Sequence, residues 1–372
     1  MLLSSPLCIT LFVALLTCIN GNYPEGKLRT RFVPFPDKTL CRVTPGLAKH
    51  QKDLCMKKPD VTKEAIFGIK MAYRECGQQF EGHRWNCTSL MSSTGNPYAN
   101  AILRRGYKET AYINALASAG VVIAVSKACR QNDLLSCSCD AKLDSIDPKP
   151  NSNKKFKWKG CSDNLQFGMK FAKLFLDKRI TGTDIFSHIN LHNNHVGRLV
   201  VKNSVETVCK CHGVSGSCTM KACWTKAPSI SKVGLELKKK YSQAIRIEQN
   251  NSGNGRKTNN KNKKNKKVKR RRFKEKHLIV KGRKKRELLN SLVFFETSPN
   301  FCDANPMLDF GGTAGRQCNL TASGPGNCSN LCCGRGYDKI VRKRNDAICK
   351  FVWCCNVTCV DNIIEEEVTV CK

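Results

Sequence analysis

The stretch Cys209-Lys210-Cys211-His212-Gly213-Val214-Ser215-Gly216-Ser217-Cys218, closed by Cys223-Trp224, decides how this chain is read. Its four cysteines can staple a short loop, and Ser215 stands at the crown between Gly213 and Gly216. Glycine tolerates the positive φ that a tight turn needs, so the flanking pair predicts a hydroxyl pointing outward from a rigid, narrow finger. No sequence-near base makes that hydroxyl a nucleophile. The run Gly213-Val214-Ser215-Gly216-Ser217 is half of a G-x-S-x-G elbow, but Ser217 occupies the place that needs glycine. The finger therefore predicts a display site, something modified or presented to a partner, and not a catalytic centre. Cys209, Cys211, Cys218 and Cys223 with His212 also make a zinc donor set. Disulfides are the stronger reading wherever the rest of the chain points to an oxidising compartment.

It does. The 372 residues contain 24 cysteines, too many for a reducing compartment without a metal role. Residues 1–20 run apolar through Leu11-Phe12-Val13-Ala14-Leu15-Leu16 and then turn polar, which predicts a secretory signal peptide. Cys8 and Cys18 leave with it, and the remaining 22 cysteines allow eleven bridges whose pairing the count does not choose. Each bridge contributes about 2–4 kcal/mol, chiefly by restricting the unfolded chain. A second apolar run, Thr110 to Val125, carries Asn114 and Ser118 and is short for a bilayer span, so it predicts a buried helix.

Further stripes at helical spacing predict α-helices over Val61–Gln79, Tyr107–Cys129, Asp163–Asp177 with Asp163 as N-cap, and Asn190–Cys209. These place a mainly helical domain over residues 22–249, ending in the cysteine finger. From 250 to 286 the pattern breaks. Between Arg256 and Arg286 there are 18 basic residues against the single acid Glu275, about half of the chain's net charge of +35. Such a segment cannot bury enough apolar surface to fold alone and predicts a disordered insert. It suits a polyanion such as heparan sulfate or an anionic lipid surface, and Arg283-Lys284-Lys285-Arg286 has the form that proprotein convertases cleave. Residues 287–372 hold ten cysteines, a strand at Leu292-Val293-Phe294-Phe295 and a hairpin between Cys349 and Cys359, a small disulfide-rich β domain. The fold class is α+β.

The finger resembles the signature of the Wnt family of secreted growth factors. Other stretches agree: Arg74-Glu75-Cys76, His83-Arg84-Trp85-Asn86-Cys87, Trp158-Lys159-Gly160-Cys161-Ser162-Asp163-Asn164, Ser298-Pro299-Asn300-Phe301-Cys302, Leu331-Cys332-Cys333-Gly334-Arg335-Gly336 and Trp353-Cys354-Cys355. The resemblance implies the pairs Cys76–Cys87, Cys129–Cys137, Cys139–Cys161, Cys209–Cys223, Cys211–Cys218, Cys302–Cys333, Cys318–Cys328, Cys332–Cys371, Cys349–Cys359 and a vicinal Cys354–Cys355. Cys41 and Cys55 would pair by remainder. At the positions matching Ala347 and Asn362 most Wnts carry two more cysteines that are partners in the family, and this chain lacks both.

The resemblance further implies no enzymatic activity, no cofactor and no resident metal, but a palmitoleoyl-type acyl group on Ser215 that the Frizzled cysteine-rich domain grips. At about 0.8 kcal/mol per buried methylene, a sixteen-carbon chain offers roughly 10 kcal/mol when enclosed. Val214 would flank this contact, while Phe351, Val352 and Trp353 at the hairpin tip would make a second one; Trp353 as a core side chain is the plainer alternative. Implied partners are Frizzled, an LDL-receptor-related co-receptor, the Porcupine acyltransferase and Wntless carrier during secretion, and heparan sulfate, with peripheral membrane association through the acyl chain and no nucleic acid. Sequons stand at Asn86, Asn250, Asn319, Asn327 and Asn356. The rival readings are a secreted glycosaminoglycan-binding matrix protein and, more distantly, a hydrolase using Ser215.

Overall fold

Ala65, Ile66, Ile69, Ala72 and Tyr73 recur at helical spacing and are all buried along one face of a long helix. The computed structural model that contains it describes residues 37–90, 96–140, 157–182, 184–247, 285–353 and 356–372. The signal-peptide segment, the basic insert as far as 284, the Asn250 sequon and the Cys354–Cys355 pair lie outside the described residues.

In chain order come α1 (Asp37–Val43), α2 (Lys49–Lys57), α3 (Pro59–Gln79), α4 (Lys108–Arg130), β1 (Lys157–Lys159), α5 (Leu165–Leu176) and α6 (Ile185–Asn203). Then follow β2 (Glu206–Cys211), β3 (Lys221–Lys226), α7 (Ile230–Ser242), β4 (Ile245–Arg246), α8 (Lys285–Asn290), β5 (Val293–Phe294), β6 (Gln317–Cys318), α9 (Cys328–Leu331), β7 (Tyr337–Val352) and β8 (Asn356–Cys371). Residues Lys38–Lys372 make one compact unit. The chain is thus α+β, helical first and β-rich at the end.

Helix α4 is the axis. It is long and apolar enough to cross a membrane, but 19 of its 23 residues are buried by protein, which marks a core helix. Its small residues let neighbours approach closely: a Cβ on Gly68 of α3 would sit 2.5 Å from the Gly120 carbonyl oxygen, and one on Gly197 of α6 only 1.9 Å from that of Ala115. Arg198 of α6 is buried and forks onto Asp177, with Nη1–Oδ1 at 3.0 Å and Nη2–Oδ2 at 2.8 Å, while Nη1 also donates to Ser118 Oγ at 3.1 Å. That set satisfies a charge which would otherwise be costly to bury.

Several expectations need correcting. Asp163 does not cap α5. The carboxamide of Asn164 does, accepting from Phe167 N at 3.0 Å, while Asp163 is buried, pairs with Arg130 at 2.6 Å and accepts from Ala227 N. The helix placed over Asn190–Cys209 begins earlier, where Asp184 accepts from Ser187 N, and stops at Asn203. Residues 206–211 are strand instead, because Thr207, Val208 and the cysteines pair across to β3. The strand at 292–295 shrinks to Val293–Phe294, since Leu292 turns into the main core. The terminal hairpin is far longer than its Cys349–Cys359 end: β7 and β8 pair over sixteen residues each, from Tyr337↔Cys371 to Val352↔Asn356.

Ten disulfides close among the described residues: Cys41–Cys55, Cys76–Cys87, Cys129–Cys137, Cys139–Cys161, Cys209–Cys223, Cys211–Cys218, Cys302–Cys333, Cys318–Cys328, Cys332–Cys371 and Cys349–Cys359. None of them links residues before 248 to residues after 284.

Candidate functional site: a stapled finger and a long ribbon

The finger stands on a three-stranded sheet in the order β1-β3-β2, with β1 parallel and β2 antiparallel to β3. Its foot is tied to the helical core. Gly160 N donates to Cys223 O, Asp163 N to Thr225 O, and Thr225 N to Ser162 Oγ at 2.9 Å. Cys209 and Cys223 face each other in register and are bridged, with Cα atoms 4.0 Å apart. Higher up, Cys211–Cys218 closes the loop. Two staples on one short ribbon leave the crown little freedom.

Within the loop, His212 N donates to Met220 O at 2.8 Å, Gly213 N to Ser217 O at 2.8 Å and Gly216 N to Gly213 O at 3.0 Å. Ser217 Oγ lies 3.1 Å from Thr219 Oγ1. Among the described residues, none of these bonds uses the Ser215 hydroxyl, and Ser215 is exposed. The flanking glycines do not both act as anticipated. Positive φ falls on Ser215 itself (54°) and on Gly216 (77°), whereas Gly213 has φ −74°. Gly213 is required for space: a Cβ there would lie 2.1 Å from Ser217 Oγ and 2.3 Å from Thr219 Oγ1. Val214, beside the serine, is 88% exposed.

The second candidate surface is the ribbon tip. Phe351 is 66% exposed, Val352 47% and Trp353 91%, so Trp353 is not a core side chain. Val357 faces Phe351 across the ribbon, and Cys349 faces its bridge partner Cys359. Ala347 faces Asp361, and Asn362 faces Asp346. The two positions where the resemblance would put a further bridge are therefore one step out of register and on opposite faces. All of β7 is exposed, so this ribbon projects without a covering layer.

Cysteine sulfurs of Cys318, Cys328 and Cys332 cluster closely enough to hold a metal, but each is consumed by a disulfide, Cys318–Cys328 and Cys332–Cys371. A bridged sulfur is not a thiolate ligand. Sequence reasoning missed a cavity of about 370 Å³ between Phe80, His83, Trp85 and Glu109 on one side and Phe301 and Asn330 on the other. Its members are scattered over more than two hundred residues, which leaves no local signal. His83 there is held below the ordinary imidazole value of 6.5, by burial first and then by Lys238 and Arg316.

The sequons differ in what their carboxamides already do. Asn327 caps α9 through Oδ1, accepting from Ser329 N at 2.8 Å, and its Nδ2 donates to Ala322 O at 2.8 Å. Asn319 Oδ1 accepts from Thr321 and Ala322, and Asn86 Oδ1 from Thr88 Oγ1. Asn356 opens β8 on the exposed ribbon.

A family model described as the Wnt family matches residues 43–372. Among solved structures, a chain of the human WLS–WNT8A complex is 30% identical, with a TM-score of 0.57, covering 84% of this chain and 94% of that one. The Drosophila WntD N-terminal domain with its linker is 21% identical at a TM-score of 0.42, covering 65% of this chain and 98% of that one.

Proposed function

Since this chain belongs to the Wnt family, as the match over residues 43–372 establishes, we propose that it is a secreted, acylated ligand that binds receptors at two separate points. That it is a Wnt signalling ligand follows from the family. The finer reading is that Ser215 receives a palmitoleoyl-type chain from Porcupine and that Wntless carries the acylated product outward. The solved complex of a similar chain contains WLS, which supports the same carrier here. Outside the cell, the acylated finger with Val214 engages the Frizzled cysteine-rich domain, and Phe351, Val352 and Trp353 engage its other face, while an LDL-receptor-related co-receptor completes the assembly. The basic insert between the helical and cysteine-rich parts holds the protein near heparan sulfate.

One observation carries this reading: Ser215 is exposed on a twice-bridged loop in the left-handed region, with its hydroxyl outside the loop's own hydrogen bonds. A hydroxyl presented in that way can enter an acyltransferase and later hold a chain clear of the protein surface. Burying that chain in a receptor groove contributes up to roughly 10 kcal/mol, more than a small polar interface supplies. The test is the mass of the peptide containing Ser215 from secreted protein, together with receptor titration of Ser215→Ala. An acyl adduct and a loss of at least two orders of magnitude in affinity are expected. A bare serine, or full receptor binding by the alanine variant, would end the reading.

A further inference from the structure

The finger carries more than its crown. Between Glu206 and Lys226 there are three lysines, Lys210, Lys221 and Lys226, and the only acid is Glu206, whose carboxylate is occupied by Lys232 at 2.6 Å. Lys221 is registered opposite Cys211, and Lys210 is the next residue down. The two lysines therefore stand at the head of the ribbon, one step apart and on opposite faces, because side chains alternate along a strand. Beyond them the loop exposes Val214 and Met220, 88% and 41% accessible. From the outside inward the finger reads two exposed apolar side chains among small polar ones, then a collar of cations on both faces, with no free carboxylate in the segment.

We propose that the finger docks tip-first on an anionic lipid surface, with Val214 and Met220 at the acyl boundary and Lys210 and Lys221 among the headgroups. This rests on the acylation of Ser215 and adds to it. One acyl chain alone holds a protein on a bilayer only marginally, and a basic patch beside the chain is one of the combinations that makes attachment stable. Each lysine near an anionic leaflet adds an electrostatic attraction that decays within a Debye length, so the collar must lie close to where the chain enters, as it does here. A sulfated polysaccharide would answer the lysines equally well. It has no place for Val214 and Met220, whereas a bilayer covers both, and this favours lipid.

The experiment uses secreted protein whose Ser215 peptide has been weighed, bound to vesicles of phosphatidylcholine or of a roughly three-to-one phosphatidylcholine–phosphatidylserine mixture. Tighter binding to the mixed vesicles, weakening as salt is added, is expected. The pair Lys210→Gln/Lys221→Gln should lose roughly thirty-fold on mixed vesicles and nothing on phosphatidylcholine. Lys202→Gln/Lys239→Gln, with the same change in net charge elsewhere, should behave as the parent. Equal affinity of the parent for both vesicles overturns the proposal without needing any variant to fold. So does a Lys210/Lys221 variant that keeps its lipid preference while losing retention on heparin, which would assign the collar to polysulfate. An unmodified Ser215 mass sinks the acylation reading instead, and the difference between the parent and the Lys210/Lys221 variant on mixed vesicles then still decides the collar, because the 18 basic residues between Arg256 and Arg286 are the same in both.

Discussion

Ser215 occupies a backbone conformation that L-residues avoid, at a cost of about 1 kcal/mol, next to a glycine that adopts it freely. The loop holds the serine there through two disulfides and the bonds of its neighbours, so the strain is borne by the staple. His83 illustrates a different residue-scale effect. Burial and the nearby Lys238 and Arg316 disfavour its protonated form, with Arg84 and Glu109 lining the same cavity. The unfolded chain therefore binds this proton more readily than the folded one, and the stability that neutral His83 contributes is present above pH 6.5 and lost as pH falls below it. Thermal unfolding followed from about pH 7.5 down to 5 should show a falling Tm, and His83→Asn should flatten part of that fall. An unchanged slope in the variant would place the acid sensitivity elsewhere.

At the scale of elements, the helices are arranged around α4 by the absence of side chains as much as by their presence. Gly197 meets the Ala115 carbonyl so closely that a methyl group has nowhere to go. Gly197→Ala should push α6 off α4 and cost about 1–3 kcal/mol by overpacking, although alanine is the better helix former. The readout is secreted yield and Tm. A gain in stability would mean that α6 can slide without penalty. Because α6 leads into β2, the same displacement would tilt the finger, so receptor affinity should fall along with stability. The ribbon β7–β8 obeys the opposite logic. Both of its faces meet solvent over most of their length, and Cys349–Cys359 is the bridge within it among the described residues.

For the whole molecule, the notable fact is how the parts before and after the basic insert hold together. No described disulfide joins them, but backbone and core contacts do. The Asn193 carboxamide pairs with both backbone groups of Val293, His192 Nε2 lies 3.0 Å from Ser291 O, and β4 runs beside β5. Phe295 N donates to Gly106 O, Ala101 N donates to Asp309 Oδ2, and Arg84 Nε donates to Asn330 O. Leu292, Phe301, Leu308 and Phe310 enter the main core. A protease site placed within residues 256–281 should therefore yield, after cleavage, a single species in native size-exclusion and two bands on a non-reducing denaturing gel. Separation in native buffer would show that the seam depends on the covalent connection. The convertase-type run Arg283-Lys284-Lys285-Arg286 does not lie wholly in the insert: Lys285 and Arg286 open α8, whose Leu288 is buried beside Ile189.

Much of this protein was legible from its residues. Helical stripes placed α3, α4 and α5 to within a few positions, because one-sided burial leaves a period in the side chains. The stapled loop with Ser215 at its crown was legible for a similar reason: its cysteines and glycines lie close together in the chain. Helices α1, α2 and α7 escaped notice: α1 and α2 are short, and α7 buries only Val233, Gly234 and Leu237, with Lys232, Glu236 and Lys238–Lys240 around them. Tertiary structure alone decided the length of the ribbon, because strands wet on both faces carry no alternation to read. It also decided which residues of the finger loop take positive φ, since Gly213 is needed for close packing and Ser215 accepts the strain. The seam between the two parts was invisible for a deeper reason. Its bonds run largely to backbone carbonyls and amides 99 to 246 residues away, and every residue but proline has both groups.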